Sequence, residues 1–178
     1  MKTLIIYTSQ TGFTKRYAEW LADRMNGDLL DLKEARKKAP AFFETYHSIV
    51  YGGWAMAGNA MGAKWFLEKS VYWNNKRIAI FCVGASPNSN PDLEEALHNM
   101  LTDEQRTRMK AFYCQGGINY ERMTLPYKLA MRWFVSSLKK KKNPGEKEKA
   151  MASMLSSSYD VSDMKYIDPI VKYLEGVK

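Results

Sequence analysis

A cluster of hydroxyl side chains follows the first apolar segment of the chain. Ser9, Thr11 and Thr14 lie close together and flank Gly12, which lets a backbone turn tightly. If a helix begins directly after them, its unpaired backbone N–H groups and the positive end of its dipole join these hydroxyls. Donors that converge on one helix start can hold a phosphate dianion. We therefore predict a phosphate-binding loop made of Ser9, Gln10, Thr11, Gly12, Phe13 and Thr14.

The same loop indicates which phosphate compound fits. It has no Gly-x-x-x-x-Gly-Lys-Ser/Thr pattern, so no lysine or metal-binding hydroxyl is placed for a triphosphate. It also lacks Gly-x-Gly-x-x-Gly, the pattern that holds a dinucleotide pyrophosphate. A monophosphate is the best fit. The alternative is that these residues only begin a helix, since Ser and Thr commonly cap helices.

The elements around the loop indicate how it is positioned. Residues 3–7 form a short, apolar and partly β-branched run, which predicts a buried strand. Tyr17, Leu21 and Met25 then repeat at helical spacing. A second predicted strand at 28–32 completes a β-α-β unit, and the crossover makes its two strands parallel. The loop therefore lies at the carboxyl end of the first strand, where open α/β sheets bind ligands.

The alternation of strand and helix continues along the chain. Further strands are predicted at 48–52, 77–83 and 111–115. Further helices are predicted at 60–73, 91–101 and 163–174. The last helix carries one apolar face, made of Ile167, Ile170, Val171 and Leu174. The predicted fold class is α/β, a doubly wound five-stranded parallel sheet with helices on both faces, in one domain over residues 1–178.

A long insertion separates the fifth predicted strand from the last helix. It spans about residues 120–157, which exceeds a normal loop. Within it, 126–138 has the pattern of a basic amphipathic helix, and four lysines follow at 139–142. The apolar side of that predicted helix consists of Tyr127, Met131, Phe134 and Leu138.

The net charge of the chain indicates which kinds of partner it attracts. The chain has 27 basic and 19 acidic residues, a formal net charge of +8, which attracts anions such as nucleotides or anionic lipid headgroups. The lysine run either forms a solvated helix end or, together with Trp133 and Phe134, holds the protein to an anionic membrane surface. Nucleic-acid binding is disfavoured, because the aromatic residues lie in a helical pattern rather than on a sheet face.

Several kinds of segment and site are excluded by the sequence. No stretch reaches the roughly 18 apolar residues of a membrane span, and the run at 4–7 is too short for a signal-peptide core. We therefore expect a cytoplasmic protein, with peripheral contact at the inner membrane face as an extension. Cys82 and Cys114 are too few and too far apart for a disulfide framework or a zinc site. We predict no metal site and no catalytic side chain.

The phosphate loop, the strand order and two further loops resemble the flavodoxin family. The family signature Ser/Thr-x-Thr-Gly-x-Thr is matched by Ser9, Thr11, Gly12 and Thr14. The resemblance covers nearly the whole chain and implies a flavodoxin-like fold that binds flavin mononucleotide (FMN). The insertion, and the segment from Tyr120 to Trp133, are similar to the menaquinone-dependent protoporphyrinogen oxidase branch of that family.

The resemblance also implies where the flavin ring lies, between the loops after strands three and four. The first loop contributes Gly53, Trp54, Ala55, Met56, Ala57 and Gly58. There the Trp54 indole is expected to stack on the ring. The second contributes Val83, Gly84, Ala85, Ser86 and Asn88. Its small residues would admit the ring, and Ser86 or Asn88 would bond its polar edge. In the alternative reading, Trp54 is a core aromatic and Gly52-Gly53 is a plain turn.

Three functions remain open at this point. The first is an FMN-dependent oxidoreductase that passes electrons from a small-molecule substrate such as a protoporphyrinogen to a quinone, with the insertion as a wall over the flavin. The second is an electron shuttle that binds redox proteins, for which a charge of +8 is unusual. The third is a flavin-free adaptor recruited to membranes or nucleic acid by its basic helix.

Overall fold

The computed structural model describes residues 2–56, 58–141 and 144–176. Its main strands are β1 Thr3–Tyr7, β2 Asp28–Asp31, β3 Ser48–Met56, β5 Arg77–Gly84 and β6 Met109–Gln115. These five are parallel and lie in the order β2-β1-β3-β5-β6. The short β4, Asn59–Ala60, pairs antiparallel with the end of β3. A separate two-stranded ribbon joins β7, Gly117–Ile118, to β8, Tyr159–Asp160.

The helices lie between these strands and in the insertion. Their bounds are α1 Phe13–Met25, α2 Leu32–Ala35, α3 Pro40–Glu44, α4 Ala63–Ser70, α5 Asp92–Asn99, α6 Asp103–Arg108, α7 Leu125–Lys139, α8 Glu146–Met154 and α9 Asp168–Glu175. A 3-10 turn, Met164–Ile167, precedes α9. No helix within the described ranges combines the length and the apolarity that crossing a bilayer requires.

Two apolar layers cover the sheet. On one face, Tyr17 and Leu21 of α1 and Ile170 of α9 pack against the strands. On the other face, Phe43 of α3 and Phe66 of α4 do so. Side chains of one strand alternate between the layers, as parallel strands buried on both faces do. The predicted fold class is confirmed, including the apolar face of the last helix.

The end of β3 differs from the prediction. The strand was expected to stop at residue 52, but pairing with β5 carries it on to Trp54, and pairing with β4 carries it to Met56. The N–H of Met61 donates to the carbonyl of Trp54 (2.9 Å) and extends that pairing. The helix expected at 60–73 therefore begins only at Ala63. Most of the predicted first flavin loop is thus a strand and hairpin, while Ala57 lies outside the described residues.

The insertion contains two helices rather than the single predicted one. The predicted helix at 126–138 is α7, and α8 packs on it around a small core of Ile118, Tyr120, Val135 and Leu155. The apolar side of α7 is also shifted, because Val135 is buried while Phe134 remains 41% exposed. Of the lysine run, Lys139 ends α7, and Lys142 lies outside the described residues. The helix α8 is rich in charged residues. A prediction based on apolar periodicity therefore missed it.

Candidate cofactor site

The loop between β1 and α1 begins the candidate site. Gly12 precedes α1 at φ +103°, a left-handed conformation that favours glycine. Its N–H donates to the Ser9 hydroxyl (3.1 Å), and the first intrahelical bond joins the Arg16 N–H to the Gly12 carbonyl (3.0 Å). The amides of residues 13–15 have no acceptor within the helix, so they are donors at its positive end. This is the arrangement that the hydroxyl pattern predicts.

The side chains of this loop take different positions. Thr14 is almost fully buried, whereas Thr11 is half-buried and borders the space above the loop. The Ser9 oxygen already accepts the Gly12 amide, but its own hydroxyl proton is still free to donate. Gln10 points away from the helix and donates to the Thr124 hydroxyl (3.2 Å). The loop is therefore tied to the insertion by a contact that its own sequence does not reveal.

A second wall comes from the β3–β4 hairpin. Trp54, Ala55 and Met56 border the same space as Thr11. Gly53 does not border it. A Cβ on Gly53 would lie 2.6 Å from the Met61 carbonyl oxygen, so glycine is needed there for the hairpin to close. Gly58 sits exposed in the hairpin turn at φ +79°. The two glycines shape the hairpin that carries Trp54.

A third wall is the carboxyl end of β5, where Val83, Gly84 and Ala85 border the space. Ser86 and Asn88 do not border it, and hydrogen bonds with other parts of the chain fix their backbones. The Tyr113 hydroxyl donates to the Ser86 carbonyl (2.8 Å), and the Asn88 N–H donates to Gln115 Oε1 (3.0 Å). These bonds fix the loop beside the site.

Two partly buried phenols support this wall. The Tyr113 hydroxyl holds Ser86, and the Tyr159 hydroxyl donates to the Ala85 carbonyl (2.9 Å). Burial raises the pKa of both phenols above the usual value. Both therefore stay protonated at neutral pH and keep donating to the loop.

The fourth wall is α7. The oxidoreductase hypothesis expected the insertion to form a wall over the flavin, but no residue of this helix was among the predicted site residues. Tyr127, Met131, Trp133 and Phe134 of this helix close the space from above, together with Met123. The apolar periodicity of α7 was visible in the sequence, but it was assigned to a membrane contact. Nothing in a linear pattern says which surface an apolar helix face will meet.

Together these walls line an open-sided cavity of about 680 Å³, within the usual size range of ligand sites. Ten predicted residues border it: Gln10, Thr11, Phe13, Thr14, Trp54, Ala55, Met56, Val83, Gly84 and Ala85. None of the bordering residues in the described part of the chain is His, Cys, Asp, Glu, Lys or Arg. The cavity can therefore bind and orient a flat apolar group, and its described lining carries no charged side chain.

A second cavity of about 540 Å³ adjoins the first and shares Thr11, Phe13 and Ile118 with it. This one is polar and lies over the start of α1, where Gly12, Asn119 and Arg122 border it. Its Arg122 and Asn119 were not among the predicted site residues. An apolar space next to a phosphate-type donor set suits a ring compound that carries one phosphate group.

Comparisons with known proteins show the family of the chain. The family described as "Flavodoxin domain" matches residues 4–144. A WrbA-like flavodoxin structure from Agrobacterium tumefaciens has 20% identity and a TM-score of 0.50, covering 70% of this chain and 86% of that chain. A flavoprotein in complex with FMN from Lactobacillus acidophilus has 18% identity and a TM-score of 0.45, covering 64% and 91%. No curated protein matches the chain.

Proposed function

The chain belongs to the flavodoxin domain family, and on that premise we propose that it is an FMN-dependent oxidoreductase acting on a flat, apolar organic substrate. The observation that supports this proposal is the aromatic wall that α7 forms over the apolar cavity. A protein that only exchanges electrons with other proteins needs a cofactor edge that lies open to them, whereas Tyr127 and Met131 lie over part of this cavity. A partly covered apolar space suits a small organic electron donor.

The residues that would hold FMN follow from the two cavities. Its phosphate would be held by the loop at 9–14, where amide and hydroxyl donors meet the start of α1. Its ring system would occupy the apolar cavity beside Trp54 and the end of β5. Gly84 is needed for packing within this wall, since a Cβ there would lie 3.0 Å from Ala55 Cβ and 2.8 Å from the Tyr113 hydroxyl. The residues present fit the cofactor.

Bound FMN supplies reversible two-electron redox chemistry. The chain's own side chains would bind, orient and exclude water, because none of those bordering the apolar cavity in the described part of the chain is a charged acid or base. In each turnover a donor such as a protoporphyrinogen would lose two electrons and two protons. A quinone would accept both and become a hydroquinone. The branch resemblance of the insertion supports this donor and acceptor pair.

The outer side of α7 supports contact with an anionic membrane surface. Leu125, Leu129 and Trp133 recur at four-residue spacing and are 67%, 55% and 74% exposed. Exposed cations, Arg132 and Lys139, lie on the same helix. An exposed apolar stripe with basic neighbours is typical of helices that lie in the membrane interface. Trp133 also borders the cavity, so an apolar substrate could enter from the bilayer side.

The test starts from the purified protein. It should be yellow, or become so when FMN is added, and it should bleach without oxygen when an organic donor is supplied. Protoporphyrinogen, reduced nicotinamide and a reduced redox protein are compared as donors, and a menaquinone analogue is then added to restore the colour. Bleaching by the redox protein alone would favour the electron shuttle. A colourless protein that takes up no FMN would favour the flavin-free adaptor and contradict the proposal.

A further inference from the structure

Arg122 of the insertion lies directly over the phosphate loop. A Cβ built on Gly12 would be 3.0 Å from Nη1 of Arg122, so the guanidinium covers the glycine that precedes α1. Both residues border the polar cavity of about 540 Å³. The contact joins two parts of the chain that are far apart in sequence.

The charge on this guanidinium is not balanced by a carboxylate. The two nearby acids that border the same cavity are engaged elsewhere, since Arg16 pairs with Asp160 and Lys15 with Glu19 at 3.5 Å. The adjacent carboxylate of Glu121 accepts the Ser158 hydroxyl at 2.6 Å, a bond that lowers its pKa. Within the described part of the chain, no acidic side chain pairs with Arg122.

The position of Arg122 is also unfavourable with respect to α1. A helix start carries a partial positive charge, so a cation there is repelled and an anion is attracted. An unpaired guanidinium next to the N–H groups of residues 13–15 therefore destabilises the cofactor-free protein slightly. An anion held between the guanidinium and the start of α1 would be attracted by both, so the repulsion would be replaced by two favourable interactions.

Local contacts hold Arg122 in this place. Its own N–H donates to Asn119 Oδ1 (3.0 Å), which shapes the turn before α7. Two residues later, Thr124 accepts the bond from Gln10 of the phosphate loop (3.2 Å). The N–H of Tyr120 donates to the Ser158 hydroxyl oxygen (3.0 Å), which anchors the start of the insertion beside β8. The guanidinium is thus presented by a segment fixed on both sides.

We infer that Arg122 binds the FMN phosphate from the side opposite the loop, so that the insertion takes part in holding the cofactor; this inference rests on the proposed function. A guanidinium can donate two parallel hydrogen bonds to a phosphate and supplies the full charge that the loop lacks. Arg122 is therefore a determinant of the choice of FMN over riboflavin, which has the same ring and no phosphate.

The experiment compares the binding of FMN and riboflavin to the cofactor-free full chain by quenching of flavin fluorescence. For Arg122→Gln we expect FMN affinity to fall by about 10- to 100-fold, since a charge-assisted contact is lost. Riboflavin affinity should stay unchanged. Arg122→Lys should lose less FMN affinity than Arg122→Gln, because lysine keeps the positive charge but not the paired N–H donors. The salt dependence of FMN affinity should become weaker in Arg122→Gln.

The matched control is Arg132→Gln, which removes an exposed arginine of α7 that borders neither cavity. It should leave both affinities unchanged. The thermal midpoint of cofactor-free Arg122→Gln should equal or exceed that of the wild type, because a repulsion is removed. A lower midpoint, equal FMN affinity, or a parallel loss of both ligands would overturn the inference alone. If the wild type binds neither ligand, the proposed function fails as well.

Discussion

The indole ring of Trp54 meets the phenol ring of Tyr127 edge to face, with ring centroids 6.3 Å apart and planes at 89°. This contact joins the hairpin at the end of β3 to the helix of the insertion, across the apolar cavity. Edge-to-face pairs of this kind stabilise beyond the area that they bury. The ring expected to stack on the flavin is thus itself oriented by the insertion.

The first prediction concerns this ring. Trp54→Ala should lower the affinity for FMN and for riboflavin alike, by roughly 3- to 10-fold, because an aromatic face beside the flavin ring is lost. Trp54→Phe should restore most of both affinities. Fluorescence titration measures the affinity of each of the two variants for each of the two flavins. A loss for FMN with no loss for riboflavin would contradict the placement of the ring beside Trp54.

The second prediction concerns the phosphate loop. Thr11→Val keeps the size of the side chain and removes its hydroxyl, so FMN affinity should fall by about 10-fold while riboflavin affinity holds. Thr107→Val, on the exposed α6, is the control and should change neither. An unchanged FMN affinity in Thr11→Val would show that this hydroxyl does not contact the phosphate.

The third prediction concerns stability at the centre of the sheet. A Cβ on Gly52 would lie 2.1 Å from the ring of Phe81, which is fully buried and cannot move aside. Gly52→Ala should lower the free energy of unfolding by about 2 kcal/mol or more, as overpacked cores do. Gly145→Ala is the control, because among the described residues only Glu148 comes near its Cβ, at 3.8 Å. This substitution should lower the free energy of unfolding by only a few tenths of that amount. Urea denaturation of both variants distinguishes these outcomes.

The fourth prediction concerns the buried hydrogen bond that closes the insertion. The Tyr120 hydroxyl donates to the Leu155 carbonyl at 2.6 Å and links the start of the insertion to the end of α8. Tyr120→Phe leaves that carbonyl without its donor, which should cost about 1 to 3 kcal/mol. Hydrogen exchange should show the loss first in α8. Equal protection of α8 in both proteins would mean that this bond does not hold the insertion.

The fifth prediction concerns the exposed stripe of α7. Replacing Leu125 and Leu129 by Ser removes apolar surface that lies outside the cavity. Binding to vesicles of anionic lipid should fall about 10-fold or more, because each buried leucine contributes roughly 1.5 kcal/mol or more. Val71→Ser, an exposed apolar site at the end of α4, is the control. Undiminished sedimentation with vesicles would remove the membrane proposal and leave the stripe for a protein partner.

Local patterns in the sequence were sufficient for the frame of the molecule. The strand at 3–7, the turn at Gly12 and α1 each follow from short-range physics, namely a continuous apolar run, the freedom of glycine in a tight turn and helical periodicity. The same holds for the last helix, whose Ile170 and Leu174 are buried as predicted. These features depend on residues near each other in the chain, so the sequence alone could determine them.

Tertiary structure alone decided how the site is closed. Gly53 and Trp54 extend β3 because they pair with β5, and Ala55 and Met56 extend it because they pair with β4. The helix α7 became a cavity wall because the β7–β8 ribbon folds the insertion back over the sheet. Arg122 reaches Gly12 for the same reason. Such contacts join residues that are distant in sequence, and their free energy depends on the path of the whole insertion. The apolar pattern of α7 indicates that this helix will contact another apolar surface. Only the folded chain shows which surface that is.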